Sequence, residues 1–240
     1  MKTHDLNIGA ILEWDISFAL REIISNAIDE QKYTKTDDII INQISSDTWI
    51  IRDFGRGISQ EHFILNENPE KIENNMSIGK FCVGLKDAFA TLYRNNVDIK
   101  FKSNNGYFSI TKLPKSDFKE QEVLHVVIND IADREFKGTE FTIKGITEKD
   151  MNLSKNLFLK YSNDQLILNT EYGQILEKKG SGSSIYVNGI KIATEEYFAF
   201  IYNIQPVTDK LRKLLNRERE SVGRTAYSPL IQKILLSTVN

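Results

Sequence analysis

Apolar residues recur at helical spacing in two segments of the chain. In Asp15 to Tyr33, the apolar positions fall on one side of a helix at about 100° per residue: Ile16, Leu20, Ile23, Ile24, Ala27 and Ile28. In the stretch from about Gly84 to Arg94, a second face carries Leu85, Ala88, Phe89 and Leu92. Both segments are therefore predicted to be amphipathic helices that turn one face toward a core.

Short runs of β-branched and aromatic residues predict strands between and after these helices. Ile39–Ile41 and Trp49–Ile51 flank Ser45–Asp47, which indicates a hairpin. Asn105-Gly106 indicates another hairpin turn. Further strands are expected near 97–102, 107–113, 123–128 and 140–143. The order helix, hairpin, loop, helix and antiparallel strands predicts an α+β sandwich on one sheet rather than βαβ alternation.

A second series of predicted helices and strands begins after Gly145. Residues 147–160 are predicted to be helical, and Asn188-Gly189 between two apolar triplets is typical of a type I′ hairpin. Two more helical stretches are expected at 207–216 and 226–237. We therefore expect two domains, residues 1–145 and 146–240. Because the chain ends directly after an apolar helix, we expect it to be part of a longer protein.

The amino-acid composition excludes several classes of protein and of metal site. With 31 Lys and Arg against 33 Asp and Glu, the formal net charge is −2, which excludes binding to nucleic acid by bulk charge. One cysteine, Cys82, excludes an intrachain disulfide and the usual four-ligand zinc sites, so a metal is expected to be an oxygen-bound ion such as magnesium. No apolar run of about 20 residues is present, so we expect a cytoplasmic protein with no membrane span.

Three polar residues of the first predicted helix share one face. Glu22, Asn26 and Asp29 are spaced by four and three residues, opposite the apolar stripe. A solvated polar face explains this spacing. The functional interpretation is a carboxylate that activates water beside an amide oxygen that holds a hard cation.

A carboxylate and two glycines follow the second strand of the hairpin. Strand alternation places Asp53 on the face of Trp49 and Ile51, where a carboxylate needs a donor such as the exocyclic amine of adenine. Gly55 and Gly57 allow the chain to turn sharply close to a ligand. An ordinary D-x-G turn that closes a strand is the alternative.

Two further glycine motifs precede a helix and a strand. The run Gly79-Lys80-Phe-Cys82-Val-Gly84-Leu85-Lys86 leads into the second helix, where free amides and two lysines suit phosphate. It is not a P-loop, because no G-x-x-x-x-G-K-[ST] occurs. Gly138-Thr139 begins a strand and by itself indicates nothing more.

Taken in order, these four motifs resemble the ATP-binding boxes of the GHKL superfamily. That group comprises gyrase B subunits, the ninety-kilodalton heat-shock chaperones, histidine kinases and MutL, together with the MORC ATPases. The resemblance covers residues 10 to 145 and is nearest in style to MORC and heat-shock chaperone sequences. It implies the Bergerat fold, an ATP-binding sandwich of a mostly antiparallel sheet with helices on one face, followed by a transducer-like α/β region.

The resemblance also implies roles for individual residues. Glu22 would be the general base, Asn26 the magnesium ligand and Asp29 a further nucleotide contact in the N box. Asp53 would accept from the adenine amine with help from Thr139, while Gly55 and Gly57 shape the pocket. The phosphates would be held by the second glycine box: Gly79, Lys80, Gly84, Leu85 and Lys86. Residues 58–78 would be the lid, and Cys82 departs from the glycine of several relatives.

The expected function is therefore magnesium-dependent binding and slow hydrolysis of ATP, which closes the lid and drives homodimerisation. One alternative is a nucleotide-sensing module that binds ATP or ADP without meaningful hydrolysis. Another is a protein kinase of the histidine or anti-sigma type. Residues 208–224 hold six basic and three acidic residues, which fits a solvated surface, phosphate sensing or contact with nucleic acid.

Overall fold

The computed structural model describes residues 2–6, 13–64, 83–115, 118–129, 133, 135–206 and 223–238. Several predicted features lie outside this set: Gly79, Lys80, Cys82, the lid from residue 65, the predicted helix at 207–216 and most of the basic stretch 208–224. The described residues up to Ser154 form one compact unit, and those from Lys155 onward form a second. The boundary at 145/146 thus stays a prediction, since the short helix that follows it groups with the first unit.

An antiparallel sheet is the framework of the first unit. Its described strands are β1 (Lys2–Asp5), β2 (Ile40–Ser45), β3 (Thr48–Arg52), β4 (Asp98–Ser103), β5 (Gly106–Lys115), β6 (Phe118–Asn129) and β7 (Thr139–Lys144). In space they run in the order β1-β6-β5-β4-β7-β3-β2, and every neighbouring pair is antiparallel. The last strand of this unit along the chain, β7, therefore lies between β3 and β4, which brings its start beside the end of β3.

Helices cover one face of this sheet. They are α1 (Ile16–Thr34), α2 (Glu61–Ile64) and α3 (Val83–Arg94), and α4 (Glu148–Lys155) follows the last strand. The apolar stripe of α1 is buried, with Leu20, Ile23 and Ile24 fully inaccessible. Alternate residues of β4, β5 and β7 meet the helices in an aromatic cluster, where the Phe101 and Phe108 rings stack 4.7 Å apart. The α+β prediction is thus confirmed, and both predicted amphipathic helices are present.

The second unit has a mixed sheet under one helix. The strands are β8 (Leu166–Thr170), β9 (Gly173–Leu176), β10 (Ser183–Val187), β11 (Ile190–Glu195) and β12 (Ile201–Ile204), in the spatial order β11-β10-β12-β9-β8. Only β10 and β12 are parallel among these described strands. Helix α5 (Arg224–Leu236) packs Tyr227, Ile231 and Ile234 onto the sheet.

The predicted hairpin at Asn188-Gly189 is confirmed. Asn188 has φ 49° and Gly189 has φ 81°, the two positive angles of a type I′ turn. Strands β1, β8, β9 and β12 were not predicted, because segments of four or five residues give only a weak local pattern. None of the helices in the described ranges is both long and apolar enough to cross a bilayer.

Candidate functional site

A buried ion pair lies in the second turn of α1. Glu22 is only 5% exposed, and its Oε1 accepts from Nε of Arg21 at 3.1 Å and lies 3.0 Å from Nη2. The Arg21 guanidinium is itself 1% exposed and lies over the rings of Trp14 and Phe18, 5.6 and 5.0 Å from their centroids. The charge of Glu22 is therefore balanced by a cation in an apolar environment.

The polar face of α1 is not solvated. Asp29 is 1% exposed and Asn26 is half-buried, so the interpretation of this face as an ordinary solvated surface is wrong. The amide Nδ2 of Asn26 donates to the carbonyl of Glu22 at 2.9 Å. This bond engages the nitrogen, so the atom of Asn26 suited to a cation is Oδ1.

Glu22 is in contact with the first turn of α3. A Cβ placed on Gly84 would come within 2.5 Å of Oε2 of Glu22, so only a glycine lets the carboxylate lie against the helix here. The backbone amides of a first helical turn have no partner within their own helix, and the positive end of its dipole favours anions. Leu85 is half-buried, whereas Lys86 is 4% exposed within α3.

A second buried carboxylate lies at the end of β3. Asp53 is 5% exposed, and its Oδ1 accepts from the amide of Gly55 at 2.9 Å. The backbone amide of Asp53 donates to the carbonyl of Thr139 at 3.0 Å. Burial raises the pKa of Asp53 to about 6, and the charge of Glu30 adds to this rise while hydrogen bonds from Gly55 and Thr139 oppose it.

Close backbone packing holds Asp53 against the start of β7. Gly138 has φ +83°, and a Cβ there would lie 1.9 Å from the carbonyl oxygen of Asp53. Thr139 is 2% exposed and its Oγ1 accepts from the amide of Ile58 at 3.0 Å. The Gly138-Thr139 motif thus joins the D-x-G-x-G turn, although the two are about 85 residues apart in sequence.

The turn is also held by a pair that the sequence reasoning missed. Glu30 accepts from Arg56 three times: from its backbone amide at 2.8 Å, from Nε at 2.9 Å and from Nη2 at 3.0 Å. Glu30 packs so closely on the turn that a Cβ on Gly55 would meet its Cγ at 2.3 Å. A signal was present in the sequence, because the acidic Glu30 follows Asp29 in the first motif and the basic Arg56 lies between Gly55 and Gly57 in the second.

Helix α1 connects these two groups of residues. Glu22 contacts the start of α3 and Glu30 contacts the turn after Asp53, and eight helical residues separate them by about 12 Å along the axis. One helix therefore carries a buried carboxylate against the N-terminal turn of α3 and, about two turns later, a second carboxylate against the turn that follows Asp53. Gly79 and Lys80, which we also expect in the site, lie outside the described residues.

No preformed metal centre occurs in the ranges described. No group of three or more His, Cys, Asp or Glu side chains there could hold a metal ion. A Mg²⁺ ion commonly takes one or two protein ligands and completes its shell with substrate phosphates and water. The single amide oxygen of Asn26 on α1 fits that chemistry, which does not need a cage of several protein ligands.

Comparison with known proteins gives one relative over the whole chain. A Mycoplasma pneumoniae protein described as uncharacterized is 38% identical over 245 residues, covering 100% of this chain and 99% of the relative. A second M. pneumoniae protein with the same description is 37% identical over 105 residues, 43% of this chain and 30% of that protein. Residues 149–240 match the family described as the Mycoplasma pneumoniae MPN635 N-terminal domain.

The solved structures that are similar to the chain at low identity include the following two. The topoisomerase IV ATP-binding domain of Francisella tularensis, in complex with a small-molecule inhibitor, aligns with TM-score 0.41 and 14% identity, covering 92% of this chain and 85% of that one. The 43K ATPase domain of Thermus thermophilus gyrase B, in complex with an aminocoumarin, aligns with TM-score 0.33 and 15% identity, covering 72% and 61%.

Proposed function

We propose that this chain, which belongs to the same family as the M. pneumoniae protein that it matches over its whole length, is a magnesium-dependent ATPase of the GHKL type. One observation carries the proposal. Buried Glu22 lies on α1 about 12 Å along the helix axis from Glu30, and Glu30 contacts the turn that follows the second buried carboxylate, Asp53. ATP is an extended molecule with a base at one end and the reacting phosphate at the other, and this spacing suits it.

Asp53 would recognise the base. A carboxylate accepts several hydrogen bonds, so Asp53 can bind an exocyclic amine while Oδ1 keeps its bond from Gly55. With a pKa of about 6, Asp53 is mostly ionised near neutral pH, as this acceptor role requires. The planar guanidinium of Arg56, held in place by Glu30, offers a flat polar surface at the edge of the same turn.

Glu22 would act at the other end as the general base. Its carboxylate contacts Gly84 in the first turn of α3, where we expect Leu85, Lys86 and the preceding residues to surround the phosphates. Bound Mg²⁺ would offset phosphate charge, and Asn26 Oδ1 is the atom that would hold it. To accept a proton from water, Glu22 needs its charge available, so the ion pair with Arg21 has to loosen in the reactive state.

Further features complete the proposal. Membership of this superfamily, with a motif style close to MORC, would imply three further properties. These are closure of the lid formed by residues 58–78, nucleotide-dependent homodimerisation and a cytoplasmic location. The basic stretch 208–224 would sense the terminal phosphate or contact nucleic acid. The part from 146 to 240 would be the transducer-like domain that passes the nucleotide state onward.

The Arg21–Glu22 pair also favours a second candidate. A general base that stays neutralised by a buried arginine would leave a module that senses ATP or ADP with little turnover. The two functions share the binding site and differ only in whether Glu22 can act.

Calorimetric ATP binding and steady-state phosphate release test both candidates on the same protein. We expect Mg²⁺-dependent ATP binding, its loss in Asp53→Asn, and loss of phosphate release with retained binding in Glu22→Gln. Exposed Glu148→Gln is the matched control and should change neither. Binding without any phosphate release from the unsubstituted protein would favour the sensor, and no ATP binding at all would refute both.

A further inference from the structure

The face of the first sheet that the helices leave open carries an ordered set of charged and aromatic side chains. Directly paired residues of neighbouring strands share a face. One row crosses the five strands β3, β7, β4, β5 and β6 and consists of Arg52, Glu140, Lys102, Tyr107 and Asn129. None of these residues belongs to the nucleotide site proposed above, which lies on the helix side of the sheet.

The next row on the same face encloses a pocket. It contains Thr142, Lys100 and Ser109, again as direct cross-strand neighbours. Except for Arg52, the residues of the two rows line an open pocket of about 370 Å³. This volume is at the lower end of the range for small-molecule sites, about 300–1,000 Å³, and is sufficient for one nucleotide unit of a larger ligand.

We propose that this pocket binds single-stranded nucleic acid, with one base against Tyr107 and backbone phosphates at Lys100 and Lys102. Tyr107 is 46% exposed, which leaves its ring accessible for stacking. Lys100 and Lys102 are two residues apart on β4, so they lie about 7 Å apart along one strand. Aromatic and cationic side chains on the open face of an antiparallel sheet are a known arrangement for unpaired bases.

The charges around the pocket are compatible with a phosphate backbone. Glu140 is engaged on both sides, 3.1 Å from Nζ of Lys102 and 3.3 Å from Nη1 of Arg52. Lys100 pairs only with the exposed Asp98 at 3.2 Å among its described ion pairs, a contact that a phosphate can replace at little cost. When Arg52 beside the pocket is counted with Lys100 and Lys102, three cations outnumber the two carboxylates Glu140 and Asp98.

Three of the other lining residues carry neutral hydrogen-bonding groups, and the lining also includes Phe101 and Phe108. Ser109 and Thr142 carry hydroxyls, and the amide of Asn129 both donates and accepts. Such groups can bond the edge of a base without fixing its identity, so we expect little sequence preference. A duplex keeps its bases stacked internally and cannot place one flat on Tyr107, so it should bind less tightly than a single strand.

The test uses the full chain and a fluorescent polythymidine oligonucleotide of about ten residues, with binding followed by anisotropy across a salt series. Tyr107→Ala should weaken binding about 5- to 150-fold. Tyr197→Ala, which removes a ring that is 87% exposed in the second unit, should leave binding unchanged. Lys100→Ala should lower the salt slope by about 0.7, and Lys149→Ala should not.

Three results of this titration would each overturn the proposal, and a fourth comes from Asp53→Asn and from competition with ATP. They are no measurable binding at low salt, equal effects of the pocket and control substitutions, or tighter binding of the duplex. Asp53→Asn separates this pocket from the nucleotide site: oligonucleotide binding should persist in that variant. If Asp53→Asn or excess ATP abolishes it, the strand occupies the nucleotide site and the open-face pocket is refuted.

Discussion

The ion pair between Arg21 and Glu22 provides the sharpest test of the site's energetics. Replacing Arg21 with Met keeps a long apolar stem between Trp14 and Phe18 but leaves the Glu22 carboxylate buried at 5% exposure without the cation that balances it. Removing one partner of a buried pair costs about 3–5 kcal/mol of folding free energy. A domain has about 5–15 kcal/mol in total, so Arg21→Met should lower stability severely.

The double variant separates charge from packing. Glu22→Gln alone leaves the Arg21 cation buried, and Arg21→Met with Glu22→Gln removes both charges together. We expect the double variant to be less destabilised than the sum of the single variants, with a coupling energy of about 3 kcal/mol. Exposed Arg94→Met is the matched control and should change stability by no more than about 0.5 kcal/mol.

Urea unfolding followed by tryptophan fluorescence measures these differences. The chain has two tryptophans, Trp14 and Trp49, and both lie in the first unit, so the signal reports the unit that contains the pair. A coupling energy below about 1 kcal/mol would show that the charges are not paired in solution and would refute the reasoning.

The remaining predictions concern the turn around Asp53. The pKa of Asp53 in the folded state, about 6, lies above its ordinary 3.8, so the folded state holds the proton more tightly. Stability should therefore fall by about 3 kcal/mol as pH rises from about 4 to 6. Asp53→Asn should remove this slope in urea titrations. ATP affinity should fall below about pH 6 as Asp53 is protonated, and a flat pH profile of calorimetric binding would contradict the assigned role. Gly138→Ala combines positive φ with a clash against the Asp53 carbonyl and should lower the melting temperature well beyond Gly180→Ala, where φ is +125° but no atom lies within 4 Å; equal shifts would exclude the clash as the cause. Glu30→Gln should cost no more than about 1 kcal/mol of stability, because Arg56 is half exposed, yet weaken ATP binding; unchanged affinity would show that the pair does not position the turn.

Local patterns were sufficient to predict most elements of the first unit. The stripe of α1 and the face of α3 were correctly assigned because burial of one side of a helix imposes its period on the sequence. The hairpin at Asn188-Gly189 was correct because few residues tolerate positive φ at two successive positions. Strand β1 was missed because its four residues are stabilised by pairing with β6, more than a hundred positions away.

The candidate site was predicted less completely. Glu22, Asn26, Asp53 and Thr139 came from motifs, and whether they bind nucleotide stays a prediction. The Glu30–Arg56 pair was not foreseen, because the two opposite charges stand in separate motifs and only the folded contact across 26 positions shows that they pair.

By itself the sequence determined the helices α1 and α3, most strands and the four motifs, because spacing along the chain sets which side chains share a face and which turns are possible; the short helix α2 lies in a segment that was predicted to be a loop. Tertiary structure alone decided that β7 lies between β3 and β4, and this order brings Gly138 and Thr139 beside Asp53. It also turned the polar face of α1 inward, where Glu22 loses water and pairs with Arg21. Burial likewise raises the pKa of Asp53 at the end of β3. Long-range packing sets burial, and burial sets the chemistry of a carboxylate.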